Sequence, residues 1–149
     1  MRTFTAFSII VGLAIGVAFA EKKLALKDLP PAAQTTIQAE LKGGEIKSIS
    51  KETEKGVTQY EIETLLNGKR RDFEVDAKGK LLVLEEETDF ATIPAAARAA
   101  IEKKAAGGKI GLVEQFMRGG ETLYEAEYTS KNGKKHEVLV KADGTETKE

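Results

Sequence analysis

A chain of 149 residues with 23 basic and 24 acidic side chains, 41% hydrophobic and 32% charged, has the composition of a globular protein: one average domain or two small ones. The even charge balance offers no basic stripe for neutralising phosphates, so nucleic acid is not expected as a partner. The absence of cysteine excludes a disulfide framework, a thiolate nucleophile and a Cys-ligated metal.

The chain opens with Arg2, an uncharged run from Phe4 to Phe19, and the small residues of Ala18-Phe19-Ala20 where a signal peptidase cuts. Residues 1–20 are therefore read as a cleaved export signal, with Glu21 first in the mature chain. The alternative is a retained membrane anchor, because the apolar run approaches the roughly 18 residues that suggest a span. A lipoprotein is excluded, since there is no Cys to acylate. Cleavage would leave a periplasmic or secreted protein with no stable membrane span.

Beyond the leader, Leu29 precedes Pro30 and marks a helix boundary, because a residue before proline is pushed out of the α region. Pro30 is expected at the first helical position. Ala33, Ile37 and Leu41 then recur at helical spacing, and Gly43-Gly44 supply the positive φ that ends a helix. Strands follow. The two-residue Asn67-Gly68 turn favours type I′, which places Leu66 opposite Lys69, Ile62 opposite Phe73 and Tyr60 opposite Val75. Ala77-Lys78-Gly79-Lys80 reads as the next hairpin turn.

The same pattern then recurs. Pro94, Ile101, Gly107-Gly108, Ile110 and Gly120 repeat Pro30, Ile37, Gly43-Gly44, Ile46 and Gly56 at a spacing of 64 residues. After one extra residue the spacing becomes 65, where Asn132-Gly133-Lys134 repeats Asn67-Gly68-Lys69. A two-residue loop in the second copy would mix the sheet faces, whereas a three-residue loop Lys131-Asn132-Gly133 sets Ala126 opposite Val138 and Tyr124 opposite Val140. The insertion thus changes the turn and keeps the register. The expected fold class is α+β: two tandem repeats, each a helix packed on an antiparallel sheet of about four strands, with residues 21–88 as repeat 1 and 89–149 as repeat 2.

The Leu/Ile-Pro-x-Ala-Ala helix, the Gly-Gly-x-Ile step, the Tyr-Glu strand and above all "DFEVDAKGKLLVLEEE", Asp72 to Glu87, resemble the PepSY domain in the tandem form grouped with β-lactamase-inhibitor-protein-like folds. The second copy departs from the motif, with Lys141 where the first has Asp76, and its terminal "TETKE" lacks the apolar residues of Leu81 to Leu84. The resemblance implies an exported, non-catalytic domain, associated in some relatives with peptidase inhibition or envelope proteins, with no shared catalytic residues to carry over.

The residues themselves offer little catalytic chemistry. His136 is the only histidine, and the register places it opposite Tyr128 near a sheet end, where it reads as an edge histidine. No G-x-S-x-G, Walker or H-E-x-x-H pattern occurs, so no enzyme activity and no cofactor are expected. One constellation stands out. With Tyr60 and Ile62 towards the helix, Glu61 and Glu63 point the other way, across the hairpin from Glu74 and Asp72. Like charges facing one another cost up to about 1 kcal/mol per pair, so lysines such as Lys47 and Lys51, or a partner, must compensate. Glu61, Glu63, Asp72 and Glu74 are the candidate partner-binding residues; the alternative is an ordinary solvated face, since exposed charge is normal on an open antiparallel sheet. The second copy keeps part of this, with Glu127 opposite Glu137 and Leu139 opposite Glu125. Glu85-Glu86-Glu87 with Asp89 end the last strand of the first unit and lead into the connection, where they read as a solvated linker, or as a weak divalent-ion site. The functional expectation is an interaction module for a protein partner in the envelope or outside the cell, such as a hydrolase that it binds or inhibits. The alternative is an envelope divalent-cation-binding protein using the acidic face.

Overall fold

The computed structural model describes residues 24–148 apart from Lys55, so the export-signal reading of residues 1–20 lies outside the described residues. A 3-10 turn, Leu26–Asp28, leads into α1, Pro31–Leu41, and four strands follow: β1 Glu45–Glu54, β2 Val57–Leu66, β3 Lys69–Asp76 and β4 Leu81–Glu87. Then come α2, Ala95–Ala105, and β5 Lys109–Arg118, β6 Glu121–Thr129, β7 Lys135–Lys141 and β8 Glu146–Thr147.

Each helix starts one residue later than expected. Pro30 and Pro94 are the N-caps, with ψ of 143° and 140°, and Pro31 and Ala95 begin the helical turns. A proline suits either place, since neither requires its missing N–H. The left-handed residue ending each helix is Lys42 and Ala106, both at φ 49°, with Gly43 and Gly107 following at positive φ. The second glycine of each pair is demanded by space instead. A Cβ on Gly44 would lie 2.8 Å from the Leu65 carbonyl oxygen, and one on Gly108 only 2.3 Å from that of Thr129, so the helix exit could not lie against β2 or β6.

The hairpin registers match the sequence reasoning. Tyr60 lies opposite Val75 and Ile62 opposite Phe73, across a turn in which Asn67 and Gly68 both have positive φ, as type I′ requires. Ala126 lies opposite Val138 and Tyr124 opposite Val140, with Ser130 and Lys134 closing the three-residue loop through a 2.8 Å N–H to carbonyl bond. The Val-Asp-Ala-x-Gly-Lys turn is explained by its contacts. Asp76 accepts the Lys78 and Lys80 backbone N–H groups at 2.9 and 2.8 Å, and the Thr36 hydroxyl of α1 donates to the Gly79 carbonyl at 2.6 Å. In the second half, where Lys141 replaces Asp76, Asp143 takes over by accepting the Thr145 N–H at 2.8 Å.

One expectation fails. Each half was expected to carry its own sheet, but β4 pairs antiparallel with β5 from Val83–Arg118 to Glu87–Glu114, giving one eight-stranded sheet in sequential order. Turn arithmetic reaches only strands joined by short loops, and these two are separated by α2. The final strand is short, with two residues paired to Leu139 and Val140. The architecture is α+β with two helices on one face of the sheet. Leu29, Ala33, Ile37, Ile62, Phe73 and Val75 form one core beneath α1, and Ile93, Ala97, Ile101, Val113, Ala126 and Val140 a second beneath α2. Among the described residues no helix is long and apolar enough to cross a membrane.

Candidate interaction face

Alternation along each strand sends every second side chain to the face away from the helices. From β2 come Glu61 and Glu63, from β3 Arg70, Asp72 and Glu74, from β4 Val83, Glu85 and Glu87, from β5 Glu114 and Phe116, from β6 Leu123, Glu125 and Glu127, and from β7 Glu137 and Leu139. This face is not an evenly solvated surface. Val83, Phe116, Leu123 and Leu139 form a third apolar cluster on it, with Phe116 only 2% exposed and the Arg118 guanidinium 5.0 Å above its ring. The carboxylates lie beside that cluster.

The four candidate residues share the face but differ in environment. Glu61, opposite Glu74, is half-buried and accepts the Ser50 hydroxyl at 3.1 Å. Burial pushes its carboxyl up to about 7, against the pull of the Ser50 hydroxyl, with the charges of Glu52, Glu63 and Glu74 adding to the rise. Glu63 is half-buried and accepts the Ser48 hydroxyl at 2.6 Å. Glu74 is half-buried between Glu61 and Val83.

Asp72 is different: it is 6% exposed, ion-paired to Arg70 at 2.8 Å, and accepts the Thr64 backbone N–H at 2.8 Å. The Thr64 hydroxyl donates to the Arg71 carbonyl, so side chains stand in for ladder bonds between the Ile62–Phe73 and Leu65–Arg70 pairs. Burial raises the Asp72 pKa despite the Thr64 N–H and the Arg70 guanidinium. Its role here is internal support for the hairpin.

Compensation for the acidic face does not come from the expected lysines. Lys47 pairs with Glu45 of its own strand at 2.9 Å, and Lys51 lies opposite Tyr60, on the helix side of the sheet. The hydroxyls of Ser48 and Ser50 and the guanidinium of Arg70 take that part. The 85–89 run ends the last strand of the first half as expected, but it is not merely a solvated connection. Glu85, Glu86 and Glu87 end β4: Glu86 pairs with Arg71 at 2.8 Å, and Glu87 accepts the Arg70 backbone N–H at 3.1 Å. Asp89 instead caps the turn into α2 by accepting the Ala91 N–H at 2.9 Å.

Two features escaped the sequence reading. Arg71, 2% exposed, lies over the Phe73 ring and joins Glu40 of α1 to Glu86 of β4, at 2.7 and 2.8 Å. Its alternation with Phe73 and Val75 was the available signal. The second is a ladder of acids across the β4–β5 joint, where Glu87 faces Glu114 and Glu114 faces Glu125. Burial pushes the Glu114 carboxyl up to about 7, Arg70 opposing and Asp72, Glu127 and Glu87 adding to it. Glu137, opposite Glu127, is also raised, by burial and then by the Glu127 charge.

Among the described residues no three acidic or histidine side chains converge to hold one metal ion. His136 stacks on Tyr128 at 5.1 Å and lies 3.2 Å from the Ser130 hydroxyl, which donates to the Lys134 carbonyl or bonds Asn132, so this contact ties the exposed hairpin together.

Comparison with known proteins agrees with this architecture. Residues 24–79, from just before α1 to the turn after β3, match the family described as PepSY, peptidase propeptide and YPEB domain. A protein of Bacteroides eggerthii provisionally assigned to the periplasm shares the fold at a TM-score of 0.64 and 14% identity, over 80% of this chain and 86% of that one. A DUF2874 family protein of Bacteroides uniformis gives 0.64 at 15% identity, over the same 80% and 86%. A BLIP-like protein of Bacteroides fragilis gives 0.53 at 19% identity, over 76% of this chain and 82% of that one. No curated protein matches the sequence. The chain is thus PepSY-like in its first half and built on a fold it shares with a BLIP-like protein.

Proposed function

We propose that this PepSY-like chain is an exported, non-catalytic interaction module, periplasmic or secreted, that uses the sheet face away from its helices to bind a protein of the envelope or exterior, such as a hydrolase that it would inhibit. The observation that carries the reading is the gathering of Glu61, Glu63, Glu74 and the β4–β7 acids on one face around a small apolar cluster. A rigid sheet with charge concentrated on one side favours fast, selective association with a basic surface. The export reading of residues 1–20 and the division at residues 88 and 89 belong to the same proposal. Support comes from the shared fold with a protein provisionally assigned to the periplasm and with a BLIP-like protein. The divalent-cation alternative ranks below it, because calcium takes six to eight oxygen ligands and no three of these side chains converge among the described residues.

The test is affinity capture from the native envelope fraction with wild type and a Glu61→Gln/Glu63→Gln/Glu74→Gln variant in parallel. Asp72 is left in place because its bonds to Thr64 and Arg70 support the hairpin. A partner retained by wild type and lost by the variant supports the reading. Identical captured sets would refute it.

A further inference from the structure

The carboxylate ladder across the β4–β5 joint has a geometry that names the partner chemistry, and the inference rests on the interaction-module reading above. Glu87, Glu114 and Glu125 face one another in direct register on three adjacent strands. Beside them, Glu127 and Glu137 form an opposed and exposed pair. Like charges in such positions repel, so the arrangement is stabilised by whatever cation lies among them. From β3 that cation is Arg70, whose guanidinium is committed to Asp72 at 2.8 Å and reaches Glu114 Oε1 only at 3.8 Å, beyond hydrogen-bond length. Glu114 is 9% exposed, and its Oε1 accepts no hydrogen bond from the described residues. A buried carboxylate oxygen without a hydrogen-bond donor is costly, so Glu114 Oε1, which Arg70 approaches without hydrogen-bonding, can take a further charged donor.

Among the described residues the one exposed large hydrophobic side chain is Val57, so the surface offers no broad apolar patch for docking, and charge is its main recognition feature. We propose that the β4–β5 joint receives an arginine from a basic segment of a partner protein, its guanidinium entering past Glu127 and Glu137 to donate to Glu114. Arginine fits better than lysine, because its planar fork serves two carboxylates at once while a lysine presents a point charge. The groups facing Glu114 are Arg70 and Asp72 from β3, Glu87 from β4, and Glu125 and Glu127 from β6. Burial and these acids let Glu114 hold a proton up to about pH 7, and that proton must leave when the guanidinium arrives. Binding therefore releases a proton and strengthens as pH rises.

The experiment is calorimetric titration of the full chain with acetyl-(Gly-Arg)4-amide, its lysine and glutamate counterparts serving as comparison peptides. With wild type, the arginine peptide should bind more tightly than the lysine peptide, lose about tenfold in affinity between pH 8 and pH 6, and release about half a proton at pH 7, seen as different heats in phosphate and Tris buffers. Glu114→Gln should weaken binding about tenfold and abolish the proton release, while Glu102→Gln, which removes the same charge from the exposed side of α2, should leave both unchanged. Equal binding by wild type and Glu114→Gln, equal losses in Glu114→Gln and Glu102→Gln, or heats independent of buffer would each overturn the assignment. Arginine-peptide binding lost only in the Glu61/Glu63/Glu74 variant would overturn the joint while leaving the acidic face as the binding site. Peptide behaviour as expected, with captured envelope proteins unaffected by neutralising Glu61, Glu63 and Glu74, would support the joint and refute the wider face.

Discussion

Raising the pH should destabilise this protein across the range where most proteins are most stable, and Glu114 should account for much of the loss. The folded chain holds its proton up to about 7, whereas the unfolded chain releases it near the ordinary value of 4.5. Between those values the folded state binds the extra proton, so stability falls as pH rises through the window and levels off above it. At 1.36 kcal/mol per unit the shift is worth about 3 kcal/mol, which is large beside the 5–15 kcal/mol of a typical domain. Glu61 titrates in the same window, but its half-exposed carboxyl is screened by solvent, so its share is smaller. Glu114→Gln keeps the shape and removes the ionisation. Urea unfolding at pH 5 and pH 8 should show wild type losing about 2–3 kcal/mol more than the variant over that interval, with the two nearly equal at pH 5. If Glu114→Gln loses as much stability between pH 5 and pH 8 as wild type does, the carboxyl is not held protonated by its burial and the reasoning is refuted.

Arg71→Met should cost about 1.5–3 kcal/mol, since it removes the charged hydrogen bonds to Glu40 and Glu86 while both carboxylates keep some contact with solvent, and a shift of the urea midpoint will show it. Ile37→Ala and Ile101→Ala, both at fully buried positions, should each cost about 2–5 kcal/mol through lost burial and the cavity left behind; an unchanged midpoint for either would mean that its helix is not held by that side chain. The intact mass of protein recovered from a producing cell should correspond to a chain beginning at Glu21, and a mature species retaining residues 1–20 would favour the anchor.

What was legible in the sequence was whatever short-range geometry controls. The Asn67-Gly68 turn fixes its hairpin because both residues must take positive φ, and the pairing of Ile62 with Phe73 follows without knowledge of the rest of the fold. The same logic recovered Ala126 with Val138 despite the inserted residue. The β4–β5 pairing was not legible, because α2 and its connections separate the strands and no turn type constrains them. Nor was the burial of Asp72 and Glu114, since alternation assigns a side chain to a face without saying how crowded that face is. In a twisted eight-stranded sheet, the central strands have neighbours on both sides, and side chains such as Phe116 and Leu123 cover one another and the acids beside them. Taken alone, either half reads as four strands with one solvated side; joined, they create a second buried layer.

That joint also explains why the strongest acidic feature lies away from the residues first singled out. Glu61 and Glu74 belong to one hairpin, where Ser50 lies next to Glu61 and water reaches both carboxyls. Glu87 and Glu114 come from different halves of the chain and meet only because β4 and β5 pair, so their opposition could not be anticipated from either half alone. The two halves differ at the corresponding inner position: where the first places Arg71 between a helix and a strand, the second has His136 stacked on Tyr128 at an exposed hairpin. The first half thus spends a guanidinium on tying α1 to the sheet, while the second does without one and exposes Glu127 and Glu137 on the other face. A fold whose two halves keep matching hairpin registers but place their cations differently gathers acidic side chains at the joint and along the second half, which is where a basic partner would find them.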